Sequence, residues 1–218
     1  MLIRHATMDD LDALATMETA CFPPQEAADI ERLAARIEQY PDHFWLMINT
    51  DEDAIAETFP AQVEEGTLMS FINGPVTSDR DLHDGMFSDP QVHEESGDWQ
   101  VILGVDTAPV YQHHGCAGYL MRRVILDSAL NGRKGVVLTC KERLKDYYAQ
   151  FGFFDEGLSS SCHGNAAWYQ MRLVLPGHQQ DDECKQMIEQ HPEAFAATRE
   201  SLAAAIGETT AYIDDEER

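Results

Sequence analysis

The stretch "WQVILGVDTAPVYQHHGCAGYLMRRV", residues 99–124, decides how the rest of the chain is read. It opens as an apolar strand over 99–107 and turns at Pro109. Gly115 and Gly118 then punctuate the turn, and an amphipathic helix follows. A strand, a glycine turn and a helix start make an anion cradle. The first amides of a helix have no intrahelical acceptor, and the macrodipole adds positive potential there. Spacing separates three such cradles. A P-loop needs Lys and then Ser or Thr after the second glycine, but Tyr119 and Leu120 follow Gly118. A dinucleotide turn needs G-x-G-x-x-G, and only G-x-x-G is present. The pattern Q/R-x-x-G-x-G/A is met by Gln112, Gly115 and Ala117. It aims successive amides at a pyrophosphate, and small residues let the backbone come close.

The charge pattern agrees with an anionic ligand at this turn. The chain of 218 residues carries a net charge of −24, which disfavours nucleic acid. Yet residues 112–150 hold seven cations against three acids, a net +4 that begins at the glycine turn. Five scattered cysteines without a C-x-x-C pair point to free thiols in a reducing compartment. No apolar run is long enough to span a bilayer, and the N-terminus lacks a signal-peptide pattern. A cytoplasmic protein with no membrane and no nucleic-acid partner is expected.

Outward from the central stretch, residues 2–5 read as a strand and Thr7-x-x-Asp10 as a capping box. Two amphipathic helices follow, separated by "ACFPPQEAA". "HFWLMIN" and "GTLMSFINGP" read as strands joined by an acidic connection over 50–65, and residues 76–98 as a long irregular crossing. After the central helix come strand "GVVLTC", a helix over 142–150, strand "FFDEG", a polar loop and strand "AAWYQMRLVL". Residues 177–218 read as an acidic helical extension of a domain spanning 1–176.

The stretches "ACFPPQEAA", "SFINGP", "GVDTAPVYQHHGCAGYLM", "GVVLTCKERLKDYYAQFGFFDEG" and "WYQMRL" together cover most of residues 3–175. In order and spacing they resemble the GNAT superfamily of acyl-CoA N-acyltransferases, specifically the branch like serotonin (arylalkylamine) N-acetyltransferase. The resemblance implies an α/β GNAT fold: a mixed, strongly bent sheet with helices on both faces, splayed between its central strands. It implies acetyl-CoA as co-substrate and direct acetyl transfer to a small primary amine, arylalkylamine- or polyamine-like. The backbone of Val105 and Thr107 would face the thioester. Gln112, His113, His114, Gly115, Cys116, Ala117 and Gly118 would hold the pyrophosphate.

Tyr148 matches the tyrosine that protonates the departing thiolate, while Tyr147 reads as structural. The vertebrate enzymes carry two strand histidines, and Val101 and Leu103 stand in those places. That leaves two residues as candidates for the base that takes the amine's proton, Glu26 through a water or else simply holding a cationic amine. Glu26 sits in the loop that borders the amine pocket, and His163 precedes the last strand. Phe22, Phe44, Trp45, Phe71 and Trp168 are available for an aromatic wall. No metal is expected, because His113, His114 and Cys116 crowd one turn without a fourth ligand. Cys140 reads as core, so no acyl-cysteine step is invoked. The alternative function is a non-catalytic acyl-CoA-binding module of the same shape. Oligomeric state stays open, a homodimer included.

Overall fold

The computed structural model describes residues 1–50 and 66–216, with side chains through Glu208. The expected acidic connection falls largely on 51–65, outside the described residues. Among the described residues, nine strands form two sheets that share one long central strand broken in the middle. One sheet has the order β1 (Leu2–His5), β2 (Phe44–Ile48), β3 (Leu68–Asn73), β6 (Gly104–Thr107). The other runs β4 (Val76–Thr77), β5 (Trp99–Ile102), β7 (Gly135–Cys140), β9 (Tyr169–Val174), β8 (Phe154–Leu158). Among the described strands, β5 and β7 are the pair that runs parallel.

The run 99–107, which reads as one strand, thus divides at Leu103. Its first half pairs with β7 and its second half with β3. Leu103 N donates to Asn73 O at 2.8 Å while the register sets Gly104 opposite the same Asn73. Two residues facing one is a bulge, and it turns the strand away from β7. The sheet therefore opens between β6 and β7.

The remaining elements pack as the apolar periodicity dictates. Helices α1 (Leu11–Cys21) and α2 (Ile30–Gln39) cover one face of the first sheet through Leu14, Met17, Leu33 and Ile37. The central helix α4 (Cys116–Leu130) covers the opposite face with Leu120, Met121, Val124 and Ile125. The irregular crossing contains a short helix, α3 (Gly85–Ser88), whose Met86 joins Cys184 and Met187 of α6 (Asp182–Gln190) over Val101 and Val137. Helix α5 (Lys145–Ala149) is one turn beyond the end of β7, and α7 (Pro192–Glu216) is the final helix. Thr198 and Ser201 of α7 are buried, and Ser201 Oγ donates to Phe151 O at 3.1 Å.

Phe44, Trp45 and Phe71 do not form an aromatic wall. All three are core residues, no more than 2% exposed, because they lie on fully buried strands of the first sheet.

Candidate active site

The open edge of β6 follows from strand register. Ala108 N donates to Met69 O, and hydrogen-bonded pairs recur every second residue in an antiparallel ladder. Asp106 and Gly104 therefore point their backbone groups at β3. Val105 and Thr107 point theirs into the opening. Thr107 O is held on that side by Cys21 Sγ at 3.3 Å and Gln112 Nε2 at 3.1 Å.

The turn beyond β6 takes the shape its glycines require. A 3-10 turn at Pro109–Tyr111 leads to His113 at φ 64 and Gly115 at φ 86, which caps α4. Glycine adopts such a φ without strain, which makes Gly115 the pivot of the turn, while His113 takes the left-handed conformation as a non-glycine residue. A cavity of about 520 Å³ lies between this turn, β6 and α5, lined by Val105, Thr107, Gln112, His113, Gly115, Cys116, Ala117 and Gly118 among others. His114 is exposed and is not among the residues lining it.

A second cavity of about 200 Å³ continues into the opening between Gly104–Val105 and Leu138–Lys141. Tyr148 borders both cavities and stands at their junction. Its ring is 6% exposed and packs edge-on against Tyr147 and Phe153, with centroids 5.2 and 5.9 Å away. Burial, and then the neighbouring Tyr147, Cys140 and Asp106, push its hydroxyl far above the ordinary phenol range. The phenol therefore rests protonated.

The cysteines at the opening are equally inert. Burial raises the Cys21 thiol to about 12 and the Cys140 thiol to about 11, so neither supplies a thiolate near neutrality. Cys140 Sγ instead contacts Met171 Sδ at 3.5 Å.

The far end of the smaller cavity is closed by two interlocked loops. Lys141 Nζ, 3.8 Å from the Trp168 ring centroid, donates to Glu26 Oε1 at 2.8 Å. His163 stacks on Phe87 with centroids 4.1 Å apart, and its Nε2 lies 3.0 Å from Glu26 O. A carbonyl only accepts, so the proton sits on Nε2. Gly164 has φ 63, and a Cβ there would lie 2.4 Å from Glu26 Cγ. Glu26 thus lines the same cavity as Tyr148. His163 lines only a smaller pocket beside it. Phe22 and Trp168 do border this region, and Phe87, which periodicity gave no reason to choose, joins them.

The cation-rich window proves to be mostly paired. Arg122 donates to Glu208 of α7, Arg123 to Asp127, Arg133 to Glu95, and Lys134 contacts Asp98 and Asp181. Lys145 pairs with Asp155. Among the described residues, Arg143 is the cation of that window without an ion pair, and it lines both cavities. Sequence spacing did not single it out.

One His/His/carboxylate cluster lies outside the opening. His43, His93 and Glu95 place their ligand atoms within 4.8 Å of one another. The Val76 amide donates to His93 Nδ1 at 3.1 Å, which puts the ring proton on Nε2, facing Glu95. With Arg133 also on Glu95, the group closes as a hydrogen-bonded lock on the 93–97 loop.

No family model and no curated protein sequence matches the chain. Solved structures do. The GphF GNAT-like decarboxylase in complex with isobutyryl-CoA aligns with a TM-score of 0.61 and 18% identity, over 80% of this chain and 99% of that one. The loading GNATL domain of CurA from Lyngbya majuscula aligns at 0.61 and 17%, over 79% and 96%. The ribosomal-protein-S18-alanine N-acetyltransferase from Escherichia coli aligns at 0.54 and 13%, over 79% and 92%. At such identities it is the architecture that is shared. The split central strand, the glycine-capped helix and the opening between β6 and β7 are those of the GNAT fold.

Proposed function

We propose that the chain is an acyl-CoA-dependent N-acyltransferase that moves an acetyl group directly to a small primary amine. The observation that carries this reading is the continuous opening from the α4 N-terminus, past Tyr148, to the pocket under Glu26. Structures of this fold solved with isobutyryl-CoA and with CoA support the co-substrate. Glycine-cradle amides from Cys116 onward would take the pyrophosphate. The inward-facing amides of Val105 and Thr107 would bind the pantetheine arm and polarise the thioester carbonyl.

In the reaction the amine nitrogen attacks that carbonyl. The C–N bond forms, the C–S bond breaks, the nitrogen gives up one proton to a base on the acceptor side, and Tyr148 supplies one to the leaving sulfur. The protonated thiols of Cys21 and Cys140 favour direct transfer over an acyl-enzyme. The enclosed acceptor end, roofed by the loop interlocked at Gly164, favours a small amine over an extended peptide. Phe22, Phe87 and Trp168 suit an arylalkyl group there, as in the serotonin N-acetyltransferase-like branch. We assign 1–176 to the catalytic domain and 177–218 to an extension that braces it.

Thiol release from acetyl-CoA with a panel of arylalkylamines, polyamines and peptide N-termini tests the reading. Release with a small amine is expected. CoA binding without release for any acceptor would select the non-catalytic acyl-CoA-binding module, which the valine and leucine at 101 and 103 would suit.

Two variants examine the two ends of the opening. Arg143→Ala is expected to weaken CoA binding about tenfold in low salt and less in high salt, since a charge-assisted phosphate contact of ~1.5 kcal/mol is lost. Isothermal titration at two ionic strengths reads this. Glu26→Gln is expected to raise the amine KM several-fold and more than His163→Ala does, because only Glu26 lines the cavity shared with Tyr148. Equal indifference in steady-state kinetics would make both residues scaffold.

A further inference from the structure

Behind β6, on the face turned away from α4, lies a group of polar side chains that the mechanism above does not use. Asp106 is wholly buried, and neither of its carboxyl oxygens has an N–H or O–H partner; only the Cys21 thiol, which donates to Thr107 O, faces them. Glu18, on α1, is 4% exposed. Its Oε1 accepts from Ala28 N at 2.8 Å, and its Oε2 has no partner. Asn73 is buried, with its Nδ2 equally unpartnered. These atoms converge on one point. A Cβ built on Gly104 would lie 3.1 Å from Asp106 Oδ2, 3.1 Å from Asn73 Nδ2 and 3.9 Å from Glu18 Oε2.

Unpartnered buried carboxyls are costly, and a fold keeps them where something else uses them. Gly104 itself borders the opening that holds Tyr148. Glu18 borders a pocket of about 20 Å³ on the acceptor side, shared with Arg36, Leu103 and Glu26. That volume suits a single water among polar walls.

We propose that Glu18 and Asp106 form a proton-accepting pair that takes the proton of the attacking amine through a water in the pocket between Glu18, Arg36 and Leu103. The assignment rests on the acyl-transfer reading of the site. The amine nitrogen loses one proton to the pair as its bond to the acyl carbon forms. The sulfur gains one from Tyr148. Return of the pair's proton to solvent and of a solvent proton to Tyr148 restores the enzyme.

The surroundings favour one shared negative charge. Burial and the Glu18 charge hold the Asp106 carboxyl well above the usual range, and burial raises Glu18. The groups facing the pair are Arg36 on α2, Cys21 on α1 and Tyr148 on α5. Arg36 is itself buried, with Nη1 on Asn73 Oδ1 at 3.1 Å and Nη2 on Phe87 O at 2.9 Å, so one guanidinium balances one carboxylate. The second carboxyl keeps a proton. This is an arrangement poised to accept, not a salt bridge.

Two readouts test the pair. In the first, infrared difference spectra of the intact protein at pH 7 are expected to show a protonated carboxyl band, lost in Asp106→Asn or in Glu18→Gln. Its absence from the unsubstituted protein overturns the proposal without any assay of activity. In the second, Glu18→Gln is expected to lower kcat about 10²-fold while CoA affinity is retained. Asp106→Asn removes the carboxyl whose proton the Glu18 carboxylate shares, so the acid limb of kcat/KM against pH should move to higher pH. A merely structural role would lower the melting temperature and leave that limb in place. If Glu18→Gln does not fold, Asp106→Asn and Gly104→Ala, which fills the convergence point, carry the same test. Unchanged rate and pH profile in the folded variants sinks the pair. Failure of the unsubstituted protein to bind CoA instead sinks the acyl-transfer reading.

Discussion

Tyr148→Phe is expected to lower kcat by ~10²–10⁴ and to leave the CoA dissociation constant unchanged. The substitution removes one oxygen and keeps the ring that packs against Tyr147 and Phe153. Stability should therefore change little, and a fall in rate cannot be ascribed to collapse of the site. The hydroxyl is pushed far above its ordinary value of 10.0, chiefly by burial, so it remains protonated as the pH climbs through that value. An acid of this kind gives no alkaline limb of its own to kcat near pH 10. Tyr147, raised to about 12 and with an unpartnered hydroxyl on the same cavity, is the control. Tyr147→Phe should leave kcat within a few-fold. Single-turnover measurement of acetyl transfer decides the matter, and equal rates for Tyr148→Phe and the unsubstituted chain would remove the phenol from the chemistry.

The parts of this site that were legible in the sequence are those fixed by local geometry. A left-handed glycine before a helix, at Gly115, is read from three or four adjacent residues, whereas Tyr148 is singled out by the resemblance around "YYAQFGF", since by local pattern alone it reads as helix packing. The resemblance implies a splay beside Val105 and Thr107, but the local pattern alone does not show it. "WQVILGVDT" is uniformly strand-like, and nothing but Gly104 hints that the run changes partners at Leu103. Phe44, Trp45 and Phe71 show why an aromatic count does not locate a pocket. A strand residue facing a core and one facing a ligand have the same local pattern, and pairing with distant strands decides between them.

The same holds more strongly for charge. Residues 112–150 read as a positive surface because Glu95, Asp98, Asp181 and Glu208, which neutralise it, lie outside the window. Arg143 stands out only after its neighbours have been paired off. Glu18 and Asp106 were invisible for a related reason. In "LDALATMETAC" a glutamate next to Met17 reads as the solvent side of a helix. Its burial follows from α1 packing over β6, and the sequence pattern does not report that contact.

Gly152→Ala is the other change expected to have a large effect, here on stability. Gly152 has φ 105, and a Cβ on it would lie 2.2 Å from Thr198 Oγ1, 2.6 Å from Thr198 N and 2.7 Å from Ala194 O. Two of these three atoms are backbone of α7 and cannot rotate aside. Strain at a non-glycine residue of positive φ costs ~1–3 kcal/mol, and overpacking adds ~1–3 kcal/mol. For a chain of this length that lowers the melting temperature by roughly 5–15 °C. The cheaper escape is for α7 to lift from the turn, exposing Thr198, Ser201 and Ala205 and breaking the bond from Ser201 to Phe151 O. Thermal unfolding followed together with limited proteolysis before α7 distinguishes the two outcomes. Lifting α7 would also withdraw Glu208 from Arg122, whose guanidinium it holds at 2.5 Å on the wall of the larger cavity. CoA affinity of the folded Gly152→Ala chain should then rise, because a cation beside the cradle is released to the phosphates. A variant as stable as the unsubstituted protein would mean that the acidic extension does not rest on this turn, and that Gly152 serves the bend after α5 alone.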